Sequence, residues 1–231
     1  EGKKDFSDDR IWTPTKDKNG NAFSIIRFLD APQGEDDAFV KIFTHGFKGP
    51  GGWYIENSLT TLGKQDPVSE LNSELWNSTT DDESPARAQA RRQKRQLSYW
   101  ANIYVVKHSG NPENDGKVFL YRFGPKILAK IKDKTHPDND IEQPINVFDY
   151  WEGANFRLKV KNIKVGKDIY PSYDDSSFDS PSALSDDDKE IERIYKSCYS
   201  LQEIIDPSNF KSYDELKKRL DQVLKKPSIS Q

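Results

Sequence analysis

The segment from Asn155 to Ile163 has the clearest strand pattern in the chain. Apolar and basic side chains alternate through it, with Phe156, Leu158 and Val160 set against Arg157, Lys159 and Lys161. Successive side chains of a strand point to opposite faces, so this pattern predicts a half-buried strand with an entirely basic exposed face. A fold that contains such a strand has a sheet that is packed on one side and solvated on the other.

Similar runs elsewhere predict a mainly β fold with added helices. Strands are predicted at residues 21–29, 38–43, 98–107 and 117–123, with hairpin turns at 49–52 and 110–116. Helices are predicted near Leu71, at 87–95, 125–134 and 185–205, and after Ser212. Among small barrels, the OB-fold presents a strand face and loops to oligonucleotides. We therefore predict an α+β chain, mainly β, with an OB-fold barrel, an inserted small subdomain and C-terminal helices.

Composition limits the class of protein. The chain has 231 residues, of which 34% are hydrophobic and 12% aromatic, enough rings to build a core and to argue against disorder. Cys198 is the only cysteine, which excludes an internal disulfide and suits a reducing compartment. No run of about 18 apolar residues occurs, so we expect a soluble protein. Methionine is absent even from position 1, and we expect a fragment that lacks flanking segments.

A basic segment leads directly into two large aromatic residues, Tyr99 and Trp100. Its five cations are Arg87, Arg91, Arg92, Lys94 and Arg95. The alanines and glutamines between them favour a helix, and Ser84-Pro85 suits a helix start. Single-stranded nucleic acid offers phosphates to such cations and flat bases to such rings. The alternative, a solvated charged helix that leads into a core strand, stays open.

The charges are strongly segregated along the chain. The net charge of −3 does not suggest nucleic acid. Residues 87–134, however, contain 12 Lys and Arg against 3 Asp and Glu, whereas residues 168–206 contain 3 against 11. This distribution predicts one basic and one acidic surface, and the basic one favours a polyanionic ligand.

Five motifs together resemble one known family. They are residues 21–29, 53–56, 98–103, 116–124 and 151–156, which read NAFSIIRFL, WYIE, SYWANI, GKVFLYRFG and WEGANF. The chain resembles the single-stranded DNA-binding, helix-destabilising proteins of T-even-type bacteriophages, from about residue 2 to about 225. The resemblance implies an OB-fold core at 1–43 and 98–231, which includes the C-terminal helices. It also implies an inserted subdomain at 44–97 and a DNA cleft between the two.

The resemblance also implies a function and partners. A member of this family coats and protects single-stranded DNA during phage replication, recombination and repair, in the cytoplasm of the infected bacterial host. Members self-associate through a basic N-terminal segment and recruit replication proteins through an acidic tail. Neither segment is present here, so the chain resembles the core. Lys94-Arg95 followed by Ser98 matches a short basic-plus-hydroxyl motif of the family, although Gln96-Leu97 interrupts it.

The family's inserted subdomain usually holds a structural zinc through one histidine and three cysteines. His45 matches the histidine, but the cysteine positions fall on Ser58, Asp66 and Ser69. Serine is a poor zinc ligand, and one histidine with one aspartate cannot close a tetrahedral site. We therefore expect no metal site and no cofactor, and a packing or hydrogen-bonding role for His45.

Fourteen residues are candidates for contact with DNA. The candidates for base stacking are Trp53, Trp76, Tyr99, Trp100, Tyr121, Tyr170 and Tyr173, and those for phosphate contact are Arg91, Arg92, Lys94, Arg95, Arg122, Lys159 and Lys161. Aromatic residues on strands are more often core than platform, which favours a core position for Trp100, Phe119 and Phe123. Tyrosines and loop aromatics are better stacking candidates because a phenol tolerates a wet surface.

Two other classes of function, a nuclease and a protein-interaction module, are alternatives to DNA binding. A metal-dependent nuclease would need clustered carboxylates, but Asp186 to Asp188 are better explained as first-turn residues of a helix. No phosphate-binding loop of the Walker type and no Gly-x-Ser-x-Gly elbow occurs. We therefore predict a protein that is not an enzyme. A protein-interaction module that uses the acidic residues 168–206 remains an open alternative.

Overall fold

The computed structural model describes residues 8–225, which form two compact units. The first contains the described residues up to Val40 together with Tyr99–Leu201, and the second contains Lys41–Ser98 together with those from Gln202 onward. The strands are β1 (Ile11–Trp12), β2 (Ala22–Phe28), β3 (Phe39–Gly49), β4 (Gly52–Asn57), β5 (Gln96–His108), β6 (Val118–Phe123), β7 (Phe156–Val165), β8 (Asp168–Ser172) and β9 (Ser177–Phe178). The α-helices are α1 (Pro67–Asn77), α2 (Pro85–Arg92), α3 (Pro125–Thr135), α4 (Asp188–Lys196) and α5 (Tyr213–Leu224).

The first unit is organised around a large, mostly antiparallel sheet. Its strands are paired in the order β1-β6-β5-β2-β7-β8, and β9 also pairs with β7. Among the described residues of this unit, β1 and β6 pair in parallel and the other strand pairs are antiparallel. Along this path, in the part of the chain that the structure describes, the pairing does not return from β8 to β1. The sheet is therefore open there, and the closed barrel of the predicted OB-fold is not confirmed.

The pairing of β2 with β5 contains a register irregularity between Ile25 and Ile26. The sequence predicts a central strand with Phe23, Ile25, Arg27 and Leu29 on one side, and the register with β7 places Phe23 and Ile25 opposite the basic residues Lys159 and Arg157. From Ile26 to Leu29 every side chain is then buried, including the guanidinium group of Arg27. The prediction that this strand is central is confirmed, because β2 lies between β5 and β7.

Arg27 is held by oxygen acceptors from a distant part of the first unit. Its Nη2 donates to the carbonyl oxygens of Asp149 and Ser182, each at 2.8 Å, and its Nη1 donates to Asn155 Oδ1 at 3.2 Å. Burial lowers the pKa of Arg27, and the charge of Asp149 opposes that shift. One side chain therefore fixes the loop 149–155 and residue 182 against the central strand.

The C-terminal helices differ from their predicted extent. The predicted helix 185–205 ends at Lys196, because the following residues are bonded elsewhere within the first unit. The backbone N–H of Tyr199 donates to Asn102 Oδ1 at 2.9 Å, and Asn102 Nδ2 donates back to Tyr199 O at 2.8 Å. The spacing of Ser212 and Glu215 in the sequence predicts a capping box, and the structure has one at the start of α5.

The second unit has a core of its own. The β3–β4 hairpin, predicted around the glycine-rich turn, contributes Phe47 and Tyr54, whose rings stack at 5.1 Å between centroids. Leu216, Leu220 and Val223 of α5 complete this core. The backbone N–H of Gly51 donates to Val223 O at 2.7 Å, and a Cβ at Gly51 would lie 2.0 Å from Gln222 O. The resemblance implies an OB-fold core that includes the C-terminal helices, whereas α5 groups with residues 41–98 in the structure.

None of the helices within residues 8–225 combines the length and apolar character that crossing a bilayer requires.

Candidate nucleic-acid interface

Helix α2 is shorter than the basic segment that predicts it. Ser84 caps its N-terminus by accepting a hydrogen bond from the backbone N–H of Arg87, and Pro85 occupies the first turn. The helix ends at Arg92 and Gln93 is its C-terminal cap. Lys94 and Arg95 therefore lie beyond the helix, although the sequence predicts a helix to residue 95, and Arg87 and Arg91 share one helix face, one turn apart.

Arg87 and Arg91 pack on an exposed indole of the neighbouring helix α1. The Cζ atoms of Arg87 and Arg91 lie 4.4 Å and 5.5 Å from the ring centroid of Trp76, within the range of a cation–π contact. The side chain of Trp76 nevertheless stays 41% exposed. The repulsion expected between the two arginines is offset by Asp82, whose carboxylate pairs with both.

A groove of about 660 Å³ lies beside this indole in the second unit. Its basic and aromatic lining comes from Trp76, Arg91, Lys94 and Arg95, and polar side chains of α1 such as Asn72 complete it. Arg95 lies over the ring of Phe43, with its Cζ atom 3.8 Å from the centroid. Arg92 and Lys94 are exposed, and the described part of the chain provides neither with an ion-pair partner. Four of the predicted contact residues are therefore brought together in this groove, with Arg92 on the adjoining helix.

Trp53 lies elsewhere on the second unit. It is on strand β4, 54% exposed, and its carbonyl oxygen accepts a hydrogen bond from Arg219 Nη2 at 2.7 Å. Ile55, two residues further along the same strand face, is also exposed. Trp53 does not line the groove beside Trp76.

In the first unit, one predicted aromatic residue directly faces one predicted cation. Trp100 on β5 and Arg122 on β6 are register partners, so their side chains share a face of the sheet. Trp100 is partly exposed and Arg122 is exposed, so the core position favoured for Trp100 is only partly realised. Phe123 is buried, as predicted.

The predicted tyrosines differ in exposure. Tyr121 is buried and its ring contacts those of Trp12, Phe28 and Phe123, and burial raises its pKa. Tyr99 is also buried, stacked on Phe123 with 5.7 Å between the ring centroids.

The Asp-, Ser- and Pro-rich sequence around Tyr170 and Tyr173 predicts a loop, but Tyr170 lies on the short strand β8 and Tyr173 directly follows it. Tyr170 is 51% exposed on β8, and Tyr173 is partly buried just after that strand. The preference for tyrosines over strand aromatics as exposed rings therefore does not match the observed exposure, because Tyr99 and Tyr121 face the interior and Trp100 does not.

Many cations of the first unit are paired with the acidic segment. Lys161 pairs with Asp175, and Arg157 pairs with Asp179 with 2.6 Å between Nε and Oδ1. Lys159 is partly buried, and its backbone N–H donates to Ser176 Oγ at 2.9 Å. Part of the predicted acidic surface is thus used inside the unit, where its carboxylates neutralise basic strand residues.

Comparisons with known proteins identify the family. A family model described as "gp32 DNA binding protein like" matches residues 18–224. The chain belongs to this family. It is 40% identical over 220 residues to a single-stranded DNA-binding protein of Enterobacteria phage T2, which covers 92% of this chain and 69% of the relative. It is 39% identical over 232 residues to the protein of the same name from Enterobacteria phage T4, with 96% and 73% covered.

In this gp32-like chain, the positions that match the family's zinc ligands form a buried hydrogen-bonded cluster. His45, Ser58 and Asp66 are all buried. The carbonyl oxygen of Gln93 accepts from His45 Nδ1 at 3.0 Å, and His45 Nε2 lies 3.4 Å from Asp66 Oδ1. Ser58 Oγ is bonded to the hydroxyl of Thr60 at 2.8 Å. His45 Nδ1, Ser58 Oγ and Asp66 are thus bonded within the protein, whereas His45 Nε2 has no hydrogen bond among the described residues.

Asp66 is the centre of this cluster. It caps α1 by accepting from the backbone N–H groups of Val68 and Ser69, and it also accepts from that of Leu59 at 3.1 Å. Burial would raise the pKa of Asp66, but the interaction with His45 and the backbone hydrogen bonds outweigh it, and the pKa lies below its ordinary value. Within residues 8–225, no group of three or more His, Cys, Asp and Glu side chains is placed to hold a metal. The residues present therefore do not fit a structural zinc.

We expect the purified protein to contain no stoichiometric zinc and to keep its fold in a chelator, because Asp66 and His45 already link the elements that a metal would link. Elemental analysis and circular dichroism with and without EDTA measure this. Asp66→Ala serves as a control, since it should lower stability equally with and without EDTA. About one zinc per chain, or unfolding in EDTA, would contradict the expectation.

Two residues that bear on these surfaces, Asp82 and Phe23, are not among the contact residues predicted from the sequence. Asp82 was not singled out, because its pairing with two arginines depends on the return of the chain between α1 and α2. Phe23 lies on a strand that the sequence predicts to be buried. Its exposure and the basic residues opposite β2 follow only from the register of β2 with β7. A signal for Phe23 existed in the alternation of β7, whose basic residues had to face some neighbouring strand.

Proposed function

We propose that this protein binds single-stranded DNA without sequence preference, by phosphate neutralisation and base stacking, and catalyses no reaction. The observation that carries the proposal is the groove of the second unit, where the exposed indole of Trp76 adjoins Arg91, Lys94 and Arg95. A base stacked on an aromatic ring contributes roughly 1–3 kcal/mol whatever its identity, and neighbouring cations take the phosphates. The family and the names of the relatives support the same function.

The structure suggests a division of roles among the predicted residues. Trp76, Trp100 and Tyr170 keep enough exposed ring to stack on a base, and Trp53 presents its ring on strand β4. Tyr99 and Tyr121 shape the sheet from inside. Lys94 and Arg92 are the readiest phosphate ligands, because phosphates at Arg91 and Lys161 would have to displace the carboxylates of Asp82 and Asp175.

The proposal extends to the fold of the first unit and to the processes in which the protein acts. We infer that the first unit corresponds to the OB-fold core, and that the protein acts in replication, recombination and repair in the cytoplasm of an infected bacterium. Self-association along the strand and contacts with replication proteins would involve segments that flank this core. The family match and the phage origin of two relatives named single-stranded DNA-binding proteins support these inferences.

A tryptophan-fluorescence titration with oligo-dT at two salt concentrations tests the function. We expect quenching on binding, much weaker binding to duplex, and a slope of log K against log salt of roughly −0.7 per neutralised phosphate, or about −3 for four. Labelled DNA incubated with the protein and magnesium should stay intact, since cleavage would support the nuclease alternative. Unchanged fluorescence at saturating oligo-dT and low salt would refute the proposal.

A further inference from the structure

An exposed phenylalanine and a lysine lie directly opposite each other on the outer face of the first unit's sheet. Phe23 of β2 and Lys159 of β7 are register partners, and Lys159 Nζ lies 6.0 Å from the Phe23 ring centroid. Phe23 is 37% exposed. A single exposed apolar residue is common and needs no explanation on its own. The surroundings of Phe23 make it informative.

Phe23 and Lys159 line a groove of about 680 Å³. The same groove is lined by Lys16 and Lys161, and by small or polar residues such as Ser109 and Gly110. Its volume lies within the range of pockets that hold small organic ligands. The groove thus combines one accessible ring with three ammonium groups on a single face.

The walls of this groove are fixed by hydrogen bonds within the first unit. Asp17 Oδ1 accepts from the backbone N–H groups of Asn19 and Asn21, at 2.8 Å and 2.9 Å. Asn162 Nδ2 on β7 donates to Asn19 O at 2.9 Å, which ties the turn 17–21 to the sheet. A pre-formed groove loses little conformational entropy when a ligand binds.

The charge of this face favours an anion. Lys107 on β5 and Arg157 on β7 are both register partners of Ile25, so their side chains share the face that carries Phe23 and Lys159. Asp17 is the acidic residue that lines the groove, and its carboxylate already accepts two backbone hydrogen bonds. Asp175 neutralises Lys161. Lys16, Lys107 and Lys159 have no ion-pair partner among residues 8–225.

We propose that this groove is a nucleotide subsite for single-stranded DNA, with a base stacked on Phe23 and the adjoining phosphates held by Lys159 and Lys16. Directly opposite residues of an antiparallel pair have Cβ atoms about 5 Å apart, so a base on the ring places its own phosphate within reach of the opposite lysine. The inference rests on the proposed function and adds to it a contact surface in the first unit that involves neither Trp76 nor helix α2.

Matched substitutions test the subsite by fluorescence anisotropy of labelled oligo-dT. Phe23→Leu removes the ring and keeps apolar bulk, and we expect binding to weaken by roughly 5- to 150-fold with an unchanged salt slope. Phe23→Tyr keeps the ring and should bind close to wild type. Lys159→Gln should reduce the magnitude of the salt slope by up to about 0.7. The matched controls, Trp151→Leu for an exposed ring and Lys189→Gln for an exposed cation without an ion pair among residues 8–225, should change neither quantity.

A second measurement uses the unaltered protein and so avoids any effect of the substitutions on folding. Oligo-dT that carries 5-iododeoxyuridine is photo-crosslinked to the wild-type chain, and we expect an adduct on the peptide that contains Phe23. Binding that persists without that adduct, together with Phe23→Leu and Lys159→Gln behaving like their controls, would overturn the subsite and leave the proposed function intact. Absence of binding by the wild-type protein would overturn both.

Discussion

Replacing Arg27 with methionine is expected to lower the free energy of unfolding by about 2–4 kcal/mol, because two buried neutral acceptors lose the hydrogen bonds of a charged donor. Methionine keeps most of the volume of the side chain but donates no hydrogen bond. The carbonyl oxygen of Ser182 and the Oδ1 atom of Asn155 would then lose the donors that Arg27 supplies. Each buried acceptor left unsatisfied costs about 1–3 kcal/mol.

One contribution to the free energy of unfolding opposes this loss of stability. The guanidinium group is fully buried and its Nε has no hydrogen-bond partner among the described residues, so its removal recovers part of the cost of burying a charge. Asp149 O would also keep the hydrogen bond from the backbone N–H of Gly153 at 3.1 Å. We expect the net effect to remain destabilising, because the loop 149–155 and residue 182 lose their common attachment to β2.

Urea unfolding followed by circular dichroism measures the change. Arg157→Met is the matched control, since Arg157 lies on the neighbouring strand, is exposed, and pairs with Asp179 at the surface. An exposed pair of this kind is worth at most about 1 kcal/mol. Equal stability of the Arg27→Met and Arg157→Met proteins would show that the buried guanidinium group does not hold the loop.

The strand that carries Arg27 shows which features of the fold can be predicted from the sequence and which cannot. The central strand was predicted to within one residue at each end, because a run of apolar residues at both strand faces is a local signal. The register shift between Ile25 and Ile26 was not predicted, because it depends on the pairing with β5. A bulge of this kind leaves no mark in the hydrophobic pattern.

The helices show the same difference between boundaries that the local sequence sets and boundaries that distant residues set. The starts of α2 and α5 were predictable, because Ser84-Pro85 and the Ser212–Glu215 capping box are local signals. The end of α4 was not, because Asn102, almost a hundred residues earlier, binds the backbone of Tyr199. The grouping of α5 with the second unit likewise depends on its packing against Phe47 and Tyr54.

For the candidate site, residue type was easier to predict than accessibility. The sequence identified Trp76, Arg91, Lys94 and Arg95, and the structure places all four on one groove. It could not tell that Tyr99 and Tyr121 point inward while Trp100 lies on an accessible sheet face, because all three alternate on strands that are apolar on both sides. The pairing of Arg91 with Asp82 was also hidden, and it bears on how strongly Arg91 can contribute to binding.

Trp76→Leu is expected to weaken binding of oligo-dT by roughly 1–3 kcal/mol without changing its salt dependence, whereas Lys94→Gln is expected to reduce the magnitude of the salt slope by up to about 0.7. The two effects differ because a ring contributes stacking, while a cation releases counterions from a phosphate. Trp151→Leu and Lys189→Gln are again the controls, and thermal unfolding checks that each variant is folded.

The relative contributions of Arg91 and Lys94 to the salt slope test the structure more directly than either variant alone. Arg91→Gln should reduce the slope less than Lys94→Gln, because Asp82 already lies 3.6 Å from Arg91 Nη2 and a phosphate must displace it. Asp82→Asn should therefore tighten binding, and in that background Arg91→Gln should have the larger effect. If Arg91 and Lys94 contributed equally with Asp82 present, Asp82 would not compete with phosphate, and the paired arginines would be as available to DNA as the unpaired lysine.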